Sequence, residues 1–186
     1  GHATHTSGTV IAAGIRDGAK GIVPDASIDF YTIPDAPSEV ASVGMILPGE
    51  SGKITISNHS YRLVDAGWEE SVDLGVDWIF RVPTTGISEH DRFGQYSSIV
   101  RDVDSALFAV PYHLAVRSGN NDRDDGPTDG DIVYLSNADA NSQTTTVYDS
   151  SIHPLPDGEF DGGYDSLNSE SLAKNALTVG STGIAV

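Results

Sequence analysis

The sequence predicts an α/β domain in which a parallel sheet carries helices on both faces. Three observations lead there. Short β-rich segments alternate with helix-like segments along 186 residues, a length that suits one domain or a large piece of one. Apolar residues, 38% of the chain, suffice for a core and exclude wholesale disorder. Two βα units follow one another over residues 27–58, as a crossover topology requires.

Residues 3–14 (ATHTSGTVIAAG) are small and largely apolar, with Gly14 placed to stop a helix. Gly8 inside that helix costs about 1 kcal/mol relative to Ala unless something packs closely on it, so a buried helix is expected. SIDFYTI (27–33) alternates as a strand, VASVGMIL (40–47) is helix-like, and KITISN (53–58) is a second strand. From Tyr61 to about Gly94 two Trp, several acids and Pro83 break the pattern, as in an insertion. Residues 96–109 place Ile99, Val103, Ala106 and Leu107 at helical spacing, and YHLAVRS (112–118) follows as a strand. Residues 119–168 are rich in Gly, Asp, Ser and Asn and carry no clear element; AKNALTVGST (173–182) closes with a strand.

Ten Lys and Arg against 27 Asp and Glu give a net charge of −17. With no basic stripe to follow a phosphate backbone, nucleic acid is not an expected partner, and anionic membranes are disfavoured for the same reason. No apolar run approaches the length of a membrane helix. The absence of Cys removes disulfides, thiolate catalysis and Cys-type zinc sites. The chain starts at Gly1, without Met and already inside a motif, which reads as a processed or excised piece.

His2 precedes the first helix, at the place where α/β sites gather, and His is the usual general base near neutral pH; a polar residue capping the helix is the alternative. Zinc fits less well, because His2 and His5 are three apart rather than four with a Glu between. GHATHTSGTVIAAG resembles the HGTHVAGT histidine block of the subtilisin-like serine proteases. AKGIVPDASIDFYTI resembles their next segment, ISNHSY their substrate-binding strand, LAVRSGNND their oxyanion block, and AKNALTVGST the strand that leads toward the serine. Five blocks in family order span the chain, and the wording of YSSIVRDVDSALFAVPYHLAVRSGNNDRDDGP and AKNALTVGS is similar to large secreted subtilases of Bacteroidetes-type bacteria.

The resemblance implies a subtilisin-like sheet, incomplete over 1–186, with insertions at about 61–94 and 121–168. It makes His2 the general base of an Asp/His/Ser triad and Asn120 the side-chain donor to the oxyanion. Ser60, Tyr61 and Arg62 match the strand edge that pairs with extended substrate, and Ser118 and Gly119 match the floor of the specificity pocket. Arg62 departs from the family's usual Gly, which implies a turn or an altered pocket, and Ala3 replaces the Gly after the His. The family's Asp block precedes the His and its GTSMA-type Ser block follows the last strand; neither string is in this sequence, and Ser7, Ser60 and Ser181 lack the setting of a nucleophile. The 186 residues alone are therefore expected to be inactive, and such a piece would expose sheet edges that the remainder of the protease chain covers.

NNDRDDGPTDGD (120–131) offers Asp122, Asp124, Asp125, Asp129 and Asp131 for a structural Ca²⁺, the only cofactor in view, although the spacing also suits a solvated loop. His59, His90, His113 and His153 read as structural or surface residues. The resemblance implies a secreted endopeptidase acting on peptide or protein substrates. A non-catalytic subtilase-like module that binds a peptide or partner chain is the alternative, with Arg62 as its sign; an unrelated α/β enzyme lacks any GxGxxG, P-loop or GxSxG string.

Overall fold

A computed structural model describes residues 1–31, 41–42, 44–62, 66–71, 75–81, 90–123, 125–137, 142–159 and 166–180. The chain divides into two compact units, Gly1–Glu39 and Val40–Val186.

In the first unit α1 spans His2–Ile11. Its small polar residues bond back to the helix itself: Ser7 Oγ donates to the Ala3 carbonyl at 2.6 Å and Thr9 Oγ1 to that of His5 at 3.1 Å. The following loop satisfies the carbonyls at the helix end, with Ile22 N donating to Thr9 O at 3.1 Å and Val23 N to Val10 O at 2.8 Å. Gly14 takes φ 78° where the chain turns away. The expected buried helix is corrected: no residue of α1 is buried, and a Cβ on Gly8 would meet nothing within 4 Å. Short Ala, Ser and Thr side chains do not by themselves gather a core. Residues 27–31 join no sheet, against the strand expected there; residues 32 and 33 lie outside the described set.

The second unit is mixed α/β and contains two sheets. In the first, β1 (Ile56–His59), β4 (Leu114–Ser118) and β7 (Leu177–Val179) lie parallel in the order β1-β4-β7. Register pairs Ser57 with Ala115, and His59 with Arg117 and through it Thr178. Alternation therefore places Ser57, His59, Ala115, Arg117 and Thr178 on one face. Against Ala115 on that face pack the apolar residues of α2 (Ser98–Phe108): Val100, Val103 and Leu107 form a core with Val110 and Ala173. Asp104 on the helix fastens the approach to β7, accepting from Lys174 N at 3.0 Å and Asn175 N at 2.8 Å. On the other face Ile56, Leu114, Leu177 and Val179 are exposed, so the described residues of this unit cover one face where the sequence predicts two. Residues 41, 42 and 44 are helical and the helix expected over 40–47 has ended by 45, while residues 40 and 43 lie outside the described set.

Gly44 lies against Val110, where a Cβ would come within 2.7–2.9 Å of the Val110 side chain. Val110 is fully buried. Gly44→Ala is expected to cost about 1–3 kcal/mol through overpacking, read as a lower urea midpoint with an unchanged m-value.

The second sheet has the order β2-β3-β5-β6, from β2 (Trp68–Glu70), β3 (Trp78–Phe80), β5 (Ile132–Asn137) and β6 (Ser142–Val147). β2–β3 and β5–β6 are antiparallel and β3–β5 is parallel. Its core is Trp68, Phe80, Val133 and Tyr148, with the Trp68 ring 4.9 Å from Phe80 and edge-on to Tyr148 at 5.6 Å. The stretches expected to be an insertion and an indistinct loop thus supply a sheet of their own.

Candidate active site

β1 and β4 run parallel, so the segments after them leave the sheet at the same end. β1 stops at His59, and Ser60, Tyr61 and Arg62 lie outside any strand. Of the two alternatives at Arg62, a turn or an altered pocket, the turn is what the chain takes: it leaves the sheet after His59 and brings Arg62 to acidic residues. Arg62 Nη1 contacts both oxygens of Asp122 at 3.0 and 2.9 Å, and Nη2 donates to Glu69 Oε1 at 2.6 Å. Glu69 Oε2 in turn accepts from Arg81 Nε at 3.1 Å.

Asp122 joins this row of charges to the residue after β4. Asn120 Nδ2 donates to Asp122 Oδ2 at 2.5 Å and to the Ser166 carbonyl at 3.3 Å, while its Oδ1 accepts from Asn121 N at 2.8 Å. Its φ of 87° makes it the one non-glycine residue with positive φ among the described residues. Asn tolerates that conformation through its short side chain, and the cost is characteristic of functional turns. Gly119 N donates to Val179 O at 2.7 Å, and a Cβ on Gly119 would approach that oxygen to 3.3 Å. The Ser118 carbonyl accepts from Ser171 Oγ at 2.7 Å. Three residues matched from sequence, Arg62, Asn120 and Gly119, are thus held at the carboxyl ends of adjacent strands. Ser60 is half-buried.

Beneath this row lies Asp157, 3% exposed, with Oδ2 accepting from Trp68 N at 2.8 Å. Burial pushes its carboxyl up to about 8; the Trp68 bond opposes this, Asp122 and Asp125 add to it, and Arg62 opposes it. Asp157 is consequently a neutral acid at pH 7, and its proton lets three carboxyls share one neighbourhood.

His2 opens α1 in the first unit; its side chain is exposed and its carbonyl accepts from Thr6 Oγ1 at 3.2 Å. Ser7 is occupied within the helix, and Ser181 and Asp124 lie outside the described residues. The other calcium candidates serve local bonds. Asp122 holds Arg62, Asp129 accepts from Ser150 N at 2.7 Å, and Asp131 accepts from Thr128 N at 2.8 Å. The Asp125 carbonyl accepts from Asp157 N at 2.7 Å. Among the described residues no three His, Asp or Glu are set to hold a metal ion.

Sequence reasoning missed one cluster. His59 and His113, read as structural or surface residues, both reach Ser57, with Nε2 of each ring 2.7 and 2.8 Å from its hydroxyl. Tyr61 bonds His59 Nδ1 at 2.7 Å, and the Arg117 guanidinium lies 5.7 Å over the Tyr61 ring. The period-2 signal in ISNH, with polar residues at 57 and 59, was the only trace of it in the sequence.

No family model, curated protein or solved structure matches this chain.

Proposed function

We propose that this chain is part of a subtilisin-like serine endopeptidase, secreted and acting on extended peptide or protein substrates. The observation that carries the proposal is Asn120, strained at φ 87° directly after β4 and tied through Asp122 to Arg62 after β1. It supports the resemblance because the two blocks matched to oxyanion and substrate binding lie on neighbouring parallel strands with their carboxyl ends together. In this proposal His2 takes the proton of a serine hydroxyl as it attacks the peptide carbonyl and returns it to the leaving amine. Asn120 Nδ2–H meets the negative charge that develops on the carbonyl oxygen, once it leaves Asp122 or the longer bond to Ser166. The serine, and the aspartate that orients His2, belong to the remainder of the protease chain, its principal partner. A Ca²⁺ at 120–131 would be a structural ion of that larger protein.

A second reading, a non-catalytic module that binds a peptide or partner, draws on Arg62, which is closed in by Asp122 and Glu69. A protease assay on an unfolded protein substrate separates the two. The whole gene product is expected to cleave it, and the isolated 186 residues are expected to give no turnover. Turnover by the isolated chain, or none by the whole product, would overturn the proposal.

A further inference from the structure

Ser57 lies on β1, half-buried, and the two imidazoles at its hydroxyl are themselves bonded at their far nitrogens. His113 Nδ1 lies 3.0 Å from the Ile54 carbonyl, and His59 Nδ1 2.7 Å from the Tyr61 hydroxyl. A carbonyl only accepts, so a neutral His113 donates from Nδ1 and accepts at Nε2. The one proton of the Ser57 hydroxyl then points at His113 Nε2, and Ser57 Oγ accepts from His59 Nε2–H. Burial lowers His59 to about 4, with the charge of Arg117 adding to it, so this ring is neutral at pH 7. Its Nδ1 then accepts from Tyr61. Each proton in the row Tyr61–His59–Ser57–His113–Ile54 therefore has one place.

We infer that Ser57 is a nucleophile with His113 as its base, forming a second reactive site that takes activated phosphonyl and acyl groups. Nucleophile and base are 2.8 Å apart, and a third group, the Ile54 carbonyl, orients the base. His59 Nε2–H adds a donor that stabilises the oxygen as its proton leaves. In reaction with an alkyl fluorophosphonate, the Ser57 Oγ–P bond forms, the P–F bond breaks and fluoride departs with the bonding pair. The hydroxyl proton passes to His113 Nε2, which shares its other proton with the Ile54 carbonyl. The adduct is the stoichiometric product of that displacement. This site is independent of the peptidase proposal, whose serine lies outside the 186 residues.

The test is intact mass and peptide mapping of the 186-residue chain after incubation with a fluorophosphonate. One adduct, on Ser57, is expected. Ser57→Ala should abolish it, and His113→Ala should slow it at least tenfold, with recovery on adding imidazole to the buffer. His113→Gln, which retains a polar side chain, serves as the second variant should the alanine form fail to fold. No adduct, an adduct on Tyr61 or elsewhere, or labelling unaffected by loss of His113 would overturn the inference.

Discussion

Replacing Asn120 by alanine is expected to lower kcat of the whole gene product by about 10²–10³, the effect known for the side-chain oxyanion donor of subtilisin-like proteases, with KM little changed. In the proposed peptidase the amide would contribute where charge develops, in the tetrahedral state, so its loss would fall on kcat rather than on substrate binding. Alanine is also a poor residue at φ 87° and would destabilise the turn by roughly 1 kcal/mol. Asn120→Gly removes that complication, because glycine accepts the backbone while supplying no donor. Both variants should lose kcat alike, and the glycine variant should melt close to the wild type. A normal kcat in the glycine variant would reduce Asn120 to a turn residue that holds Asp122.

Stability should fall steeply as pH rises from 6.5 to 8, and Asp157 should be the cause. Its folded carboxyl titrates at about 8 against 3.8 in its ordinary state, so between those values the folded chain holds a proton that the unfolded chain has lost. The contribution is complete below about pH 4 and disappears as pH passes through 8, at about 1.4 kcal/mol per unit in the interval. About 2 kcal/mol is therefore at stake between pH 6.5 and 8. His59 and His90, both lowered to about 4 chiefly by burial, act in the opposite sense below 6.5: folding then excludes protons that the unfolded chain binds, and stability falls as pH drops. Above 6.5 they are silent, which leaves Asp157 to set the slope. Asp157→Asn keeps an acceptor for Trp68 N and should flatten the curve of urea midpoint against pH in that window. An equally steep curve in the variant would assign the slope elsewhere.

Much of the first sheet was legible because its signals are local and strong. The apolar spacing at Ile99, Val103 and Leu107 located α2 to within two residues at its start, and the β-rich runs at 53–58, 112–118 and 173–182 each overlap a strand of the parallel sheet. The second sheet was hidden by the opposite circumstance. β2 and β3 are three residues long, and β6 is the polar run SQTTTV, which pairs with β5 through its backbone and presents no apolar alternation to detect. SIDFYTI, by contrast, has strand composition and yet residues 27–31 pair with nothing in the described structure, since propensity does not supply a neighbouring strand.

The same division runs through the site. Asn120 and Arg62 stood out individually, one by its block and one by departing from it. What Arg62 does was out of reach, because Asp122 lies 60 residues away and the salt bridge exists only once β1 and β4 are paired. His59 and His113 are 54 positions apart and meet at Ser57 for the same reason. The acidity of Asp157 is still further from the sequence, since it depends on burial under Trp68 and beside two other carboxyls.

Peptide-bond hydrolysis by the whole gene product, compared with its His2→Ala variant, addresses the proposed activity most directly. Loss of roughly 10⁶ in kcat, the size known for the histidine of the subtilisin triad, is the expected result. A His2→Ala variant that cleaves an extended peptide at the parent rate would contradict it.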